Sequence, residues 1–297
     1  MKSPVYDSVL ITGGYGMLAG AIGRALTKRG LRAEFVDRDK CDLTDPAQIA
    51  TWFGNIKPTL VINCAAYTNV DKCEQEKDAC NAINGTAVGA LAEACRENDA
   101  MLVHFSTDFV FDGTSKRPYR SDDIPNPLST YGHSKLLGDQ QLQQHAPYRW
   151  LLVRTAWLYG IGGASFPRTM LEMANAGKTL RVVNDQVGSP TFTPDLADAV
   201  LDLIDHGASG IYHVTNSGQT SWFGLAQAVF EEFELKPDLQ PITSADWKAM
   251  RPTTATRPAY SVLDVEPFTR LIGRPMRPWR DALRTFAAEV KARGGFA

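Results

Sequence analysis

The sequence predicts an α/β fold, a doubly wound parallel sheet carrying a smaller interleaved α/β lobe. Three observations predict it. Short apolar runs alternate with helix-compatible stretches from Ser8 to Thr155, a glycine-rich turn directly follows the first run, and glycine and proline punctuate the chain after Trp157. With 297 residues and 44% hydrophobic content there is material for a full core.

Val9–Thr12, Ala33–Asp37, Leu60–Asn63, Met101–Phe105 and Leu151–Arg154 are short and rich in aliphatic residues, as strands buried on both faces require. Amphipathic stretches between them read as crossover helices. Beyond Trp157, Gly160, Gly162 and Gly163 break the pattern, followed by Pro167, Pro190 and Pro194. A helix over Pro194–His206 and a strand over Ile211–Val214 are expected to complete the first sheet, with separate helices over Ser221–Phe233 and Trp279–Lys291. The expected division is residues 1–158 and 192–216 for the first domain, and 159–191 and 217–297 for the second lobe.

Charge and composition exclude several classes. The 31 basic and 33 acidic residues leave a net charge of -2, so neither nucleic acid nor an anionic membrane is expected as partner. Five cysteines without C-x-x-C spacing suggest neither a disulfide framework nor a zinc site, and no metal is expected. Cys73 and Cys80, seven apart, are expected on one helix face as small buried hydrophobes. The N-terminal segment Met1–Asp7 lacks the apolar region of a signal peptide and no run of 18 apolar residues occurs, so a cytoplasmic location is expected.

The turn Gly13-Gly14-Tyr15-Gly16-Met17-Leu18-Ala19-Gly20 lies between the first strand and a helix-compatible run over Ala21–Arg29. Gly13 permits the tight turn, Gly16 lets backbone approach a pyrophosphate, and Ala19 is small enough for helix to pack on strand. N–H groups at a helix start favour the anion. The architecture is therefore a Rossmann-type sheet binding a dinucleotide. Asp37, 21 residues beyond Gly16, suits the ribose 2′-hydroxyl of NADH, whereas the adjacent Arg38 suits the 2′-phosphate of NADPH. Both cofactors stay open.

The chemical residues follow. Tyr131-Gly132-His133-Ser134-Lys135 opens a helix-like stretch reaching Gln144, and four-residue spacing puts Tyr131 and Lys135 on one face. A nearby ammonium is expected to lower the phenol's ordinary pKa of about 10, making Tyr131 a proton donor to a carbonyl oxygen. Thr107, 24 residues upstream at the carboxyl end of the fourth strand, can hydrogen-bond that oxygen. His133 is expected on the surface and His104 in the core.

Together, the glycine turn, Thr107, Tyr131 and Lys135 resemble the extended short-chain dehydrogenase/reductase superfamily, which works on nucleotide sugars. Asn63-Cys64-Ala65-Ala66-Tyr67-Thr68-Asn69-Val70-Asp71-Lys72-Cys73-Glu74, Ser106-Thr107-Asp108-Phe109-Val110-Phe111-Asp112-Gly113, Arg154-Thr155-Ala156-Trp157-Leu158-Tyr159-Gly160 and Arg257-Pro258 with Ser261 and Asp264 are similar to the dTDP-4-dehydrorhamnose reductase family, nearly end to end. The likeness implies hydride transfer to C4 of a dTDP-linked 4-keto-6-deoxyhexose, yielding dTDP-L-rhamnose, with Thr107, Tyr131 and Lys135 catalytic. It also implies that Gly13, Tyr15, Gly16, Met17, Leu18, Asp37, Arg38, Asp42, Leu43, Ala65, Ala66, Tyr67 and Ser106 line the NADPH or NADH site, with Tyr131 and Lys135 reaching it. Thr107, Asp108, Val110, Phe111, Trp157 and Arg257 are implied on the sugar nucleotide, and Asn184-Asp185-Gln186 with Pro190-Thr191 near the junction of the lobes.

Related dehydratases carry glutamate where Phe109 stands, and related reductoepimerases use a cysteine, whereas no cysteine falls between Thr107 and Lys135. Carbonyl reduction is the chemistry left. A monomer or homodimer is expected. Two alternatives stay open: another nucleotide-linked 4-keto-6-deoxyhexose as substrate, or a regulatory subunit that binds dinucleotide without turnover.

Overall fold

In the computed structural model, which describes residues 6–296, six parallel strands form the central sheet. Met1–Val5, on which the expectation of no signal peptide largely rests, lie outside the described residues. The first five strands in chain order are β1 (Val9–Thr12), β2 (Ala33–Val36), β3 (Leu60–Asn63), β4 (Met101–Thr107) and β5 (Trp150–Thr155). Across the sheet the order is Gly210–His213, β5, β4, β3, β1, β2. The expected late strand does pair in parallel with β5. Because order reverses between β1 and β3, their carboxyl ends open a crevice there.

Alternation along the strands divides the core. Val9, Ile11, Leu60, Ile62, Val103 and Val153 pack under helix α1 (Met17–Lys28) and the helix Thr193–Asp205. Leu10, Val61, Leu102 and Leu152 pack on the opposite side, under α2 (Pro46–Ile56), α5 (Ala87–Glu97) and α6 (Thr130–Gln144). Between α2 and α5 lie two short helices, α3 (Val70–Cys73) and α4 (Lys77–Asn81), the latter running into a π-turn over Ala82–Thr86. Cys73 and Cys80 are fully buried and adjacent, but they occupy α3 and α4 rather than one helix face, because the chain breaks its helix at Glu74–Glu76.

A second apolar cluster joins the helices Phe166–Asn175, Trp222–Glu232 and Trp279–Ala292 around Tyr159, Phe192 and Phe286. Leu180–Val183 pairs in parallel with Leu239–Ile242 against it. Asn184-Asp185-Gln186 works inside this lobe. Asn184 accepts from the Ser221 hydroxyl, while Asp185 and Gln186 bind Ser244. Among the described residues no helix is long and apolar enough to cross a membrane.

Candidate active site

The crevice widens into a cleft of about 890 Å³ between the sheet edge and the second lobe. Gly13 turns the chain out of β1 at φ +66°, where a Cβ would meet the Ala65 nitrogen at 2.7 Å. Any side chain there would push the turn off the loop that follows β3. Helix α1 starts at Met17, four residues earlier than its expected start, so Met17 and Leu18 form its first turn. Gly16 caps it with no side-chain hydrogen bond, and no acidic residue lies in that turn. The N–H groups and helix dipole therefore face the cleft uncompensated, which fits a pyrophosphate. Ala65, Ala66, Tyr67, Asp42, Leu43 and Ser106 line the same cleft.

Asp37 and Arg38 face the adenosine end in different ways. Asp37 accepts from the backbone N–H of Tyr15 at 2.9 Å and of Arg38 at 2.7 Å, one bond to each oxygen. The Arg38 guanidinium stands 77% exposed beside Asp42, an ion pair of little strength at 3.6 Å.

At the other end, Ser129 caps α6 by accepting from Gly132 N–H, and Glu74 accepts from both the N–H and the hydroxyl of Thr130. These contacts aim the first turn at the end of β4. Gly132 is required for the approach, since a Cβ would lie 2.3 Å from the Phe109 carbonyl. Tyr131 and Lys135 accordingly share the cleft with Thr107. Thr107 donates to Asp108 at 3.0 Å and accepts from Phe109 N–H.

The electrostatics differ from expectation. Burial, not a neighbouring ammonium, dominates at Tyr131 and raises its phenol above the ordinary value, with the Thr107 hydroxyl working in the opposite direction. The phenol therefore keeps its proton through neutrality, as a donor must. Burial lowers Lys135 to about 8, with Asp139 as the largest opposing influence. Burial raises Asp108 to about 6, with the Ser261 hydroxyl drawing it back.

Asp108 carries a prediction. Its folded value lies above the ordinary carboxylate range, so the preference for the neutral form is full at low pH and is lost as pH rises through about 6. The rise corresponds to roughly 3 kcal/mol as an upper bound. Asp108→Asn should raise Tm by a few degrees at about pH 8 and leave it unchanged at about pH 4, as thermal denaturation will show.

On the sugar side, Trp157 adopts φ +49°, a conformation costly for a bulky residue, where the chain leaves β5. Its indole stacks on Trp222 at 3.5 Å and 7°. Arg257 donates to Asp71 at 2.9 Å. Val110 and Phe111 do not face the cleft. The 3₁₀ turn Asp108–Val110 rotates both inward, fully buried, where Phe111 stacks on Tyr119 at 4.3 Å. Their expected role on the substrate is corrected accordingly. Sequence reasoning missed Thr68, Val70, Phe109 and Trp222, which also line the cleft. Thr68, Val70 and Phe109 stand inside motifs already quoted, whereas nothing local marks Trp222. His133 is exposed as expected.

Comparison with known proteins agrees with this geometry. The RmlD substrate binding domain family matches residues 7–292. The chain is 38% identical to a dTDP-4-dehydrorhamnose reductase of Streptomyces griseus, over 96% of this chain and 95% of that one. It is 40% identical to a probable dTDP-4,6-dihydroxy-2-methyloxan-3-one 4-ketoreductase of Streptomyces antibioticus, over 95% of each. The crystal structure of a dTDP-4-dehydrorhamnose reductase of Bacillus anthracis in complex with NADP superposes with a TM-score of 0.90 at 34% identity, covering 97% of this chain and 100% of that one.

Proposed function

The chain belongs to the RmlD substrate binding domain family, and from that premise we propose that it reduces the C4 keto group of dTDP-4-dehydro-L-rhamnose to give dTDP-L-rhamnose. It is an oxidoreductase that uses a nicotinamide dinucleotide. One observation carries the reading: Thr107, Tyr131 and Lys135 meet at the carboxyl edge of the sheet, in the same cleft as the Gly13 turn.

When bound, the reduced nicotinamide supplies hydride to the keto carbon. The α1 N-terminus and the Gly13 turn hold the pyrophosphate, and Ala65, Ala66 and Tyr67 flank the dinucleotide. Thr107 hydrogen-bonds the substrate oxygen and orients it toward Tyr131. The Tyr131 hydroxyl then donates its proton to that oxygen. Lys135 stabilises the phenolate that forms. Trp157 and Arg257 hold the sugar nucleotide.

Purified protein given the keto-sugar nucleotide should consume the reduced cofactor and yield the 6-deoxyhexose product. No consumption with either cofactor would sink the proposal. The similarity to a ketoreductase of another dTDP-sugar makes a panel of 4-keto sugar nucleotides, compared by kcat/KM, the arbiter of substrate.

NADPH is the proposed cofactor, because the Arg38 guanidinium is largely exposed beside the adenosine end and only weakly held by Asp42, so it can turn onto a 2′-phosphate. Arg38→Ala should weaken NADPH about ten- to hundredfold, the loss of one charge-assisted contact, and leave NADH unaffected. Equal weakening of both in equilibrium titrations would count against Arg38.

A further inference from the structure

His104 is a core histidine with an unusual partner. In sheet register, Thr12, Asn63 and His104 stand side by side on β1, β3 and β4, directly beneath the Gly13 turn. All three are buried. Thr12 Oγ1 donates to Asn63 Oδ1 at 2.6 Å, and Asn63 Nδ2 lies 3.0 Å from His104 Nδ1. His104 Nε2 lies 3.1 Å from Lys135 Nζ, which also donates to the Phe105 carbonyl at 2.7 Å.

Counting protons along this row gives a constraint. The backbone N–H of Ala65, which can only donate, points at Asn63 from 3.2 Å and requires the amide oxygen there. Asn63 therefore presents its NH₂ to His104, whose Nδ1 must accept. A neutral imidazole then carries its proton on Nε2 and offers it to Lys135. Every bond is compatible only when Lys135 is an amine with a lone pair. An ammonium needs Nε2 as acceptor, which moves the histidine proton to Nδ1 and turns the Asn63 amide. The Thr12 hydroxyl can serve either orientation, but the Ala65 N–H would then face another donor.

We propose that His104, oriented by Asn63, is a positioning residue that weakens the hold of Lys135 on its proton and couples that proton to the backbone beneath the phosphate turn. The other groups around Nζ are Asp139 of α6, Cys80 of α4 and Tyr131 one turn away, with Arg154 of β5 paired to Asp139. Burial lowers Lys135 while Asp139 and Cys80 favour the ammonium, and a His104 Nε2–H aimed at the amine acts in the same direction as burial. His104 is itself held neutral, by burial first and by Lys135 second. A lysine so poised exchanges protons near neutrality and can restore the proton that Tyr131 gives up.

The inference bears on catalysis only through the reduction proposed above, but its test does not need turnover. Histidine ring ¹⁵N and lysine ¹³Cε NMR, with signals assigned through His104 and Lys135 substitutions, should show the His104 proton on Nε2 at high pH. On acidification it should move to Nδ1 with the same midpoint as the Lys135 titration. Asn63→Asp supplies a carboxylate that accepts from both Ala65 N–H and His104 Nδ1–H. The Nδ1 tautomer should then persist, and Lys135 should titrate about one pH unit higher or more, the usual scale for a nearby opposite charge. Asn63→Leu, close in volume, removes the fixed donor and should give a smaller rise. The alkaline limb of kcat/KM should move with the lysine in each variant.

A His104 tautomer indifferent to the Lys135 titration in the wild type overturns the inference, whether or not the variants fold. So does an unchanged lysine titration in a folded Asn63→Asp protein. If the NMR shifts appear but no keto sugar is reduced, it is the proposed reaction that fails.

Discussion

Tyr131→Phe is expected to lower kcat by roughly 10²- to 10⁴-fold, the range for removing a positioned general acid. Cofactor affinity and Tm should stay near wild type, because the phenyl ring keeps its edge-on contact with Phe109 at 5.8 Å. Only the hydroxyl's proton is lost. Steady-state kinetics paired with equilibrium cofactor titration separate the two effects, and near-normal turnover would remove Tyr131 from the mechanism. The pH profile sharpens the point. The wild-type phenol is raised by burial and stays protonated through neutrality, so the decline in rate toward high pH should follow Lys135, which loses its proton above about 8.

Arg154→Met should produce the largest loss of stability. Arg154 on β5 meets Asp139 on α6 at 3.1 Å, with the two side chains 3% and 0% exposed. The guanidinium also lies over Phe111 at 5.4 Å. Burial alone raises the Asp139 carboxyl, and Arg154 is the main force holding it down. Removing the arginine takes away the paired counter-charge of a buried carboxylate and leaves only the weaker pull of Lys135, a loss that typically costs about 3–5 kcal/mol. A drop in Tm on the order of 10 °C should follow. Because an isolated buried carboxylate prefers its proton, the deficit should narrow as pH falls. Arg154→Met combined with Asp139→Asn should recover much of the loss, since the unpaired charge is gone. An Arg154→Met protein as stable as wild type at neutral pH would show that solvent reaches the pair.

Much of the catalytic half was legible because its signals are local. Apolar strands of four to seven residues, helix-period stretches between them, a glycine directly after β1 and a tyrosine four before a lysine all act within a few residues of themselves. Parallel topology follows once the crossovers are right-handed. Two errors of placement share one origin. Val110 and Phe111 follow a strand whose end faces the cleft, yet a single 3₁₀ turn buries them. Cys73 and Cys80 keep helical spacing, but the helix breaks between them. Spacing describes direction only while the backbone stays regular.

The sequence by itself determined the α/β class, the dinucleotide turn and the presence of Thr107, Tyr131 and Lys135, because these are written in periodicity and in residue types with one physical use. Tertiary structure alone decided what surrounds them. Arg257 meets Asp71 across 186 residues of chain, and Trp222 stacks on Trp157 from a later helix. His104 reaches Lys135 because sheet register and the docking of α6 bring one strand residue under one helix residue. Such contacts depend on how elements pack, and the proton affinities of the site depend on burial. Neither is a property of any segment alone.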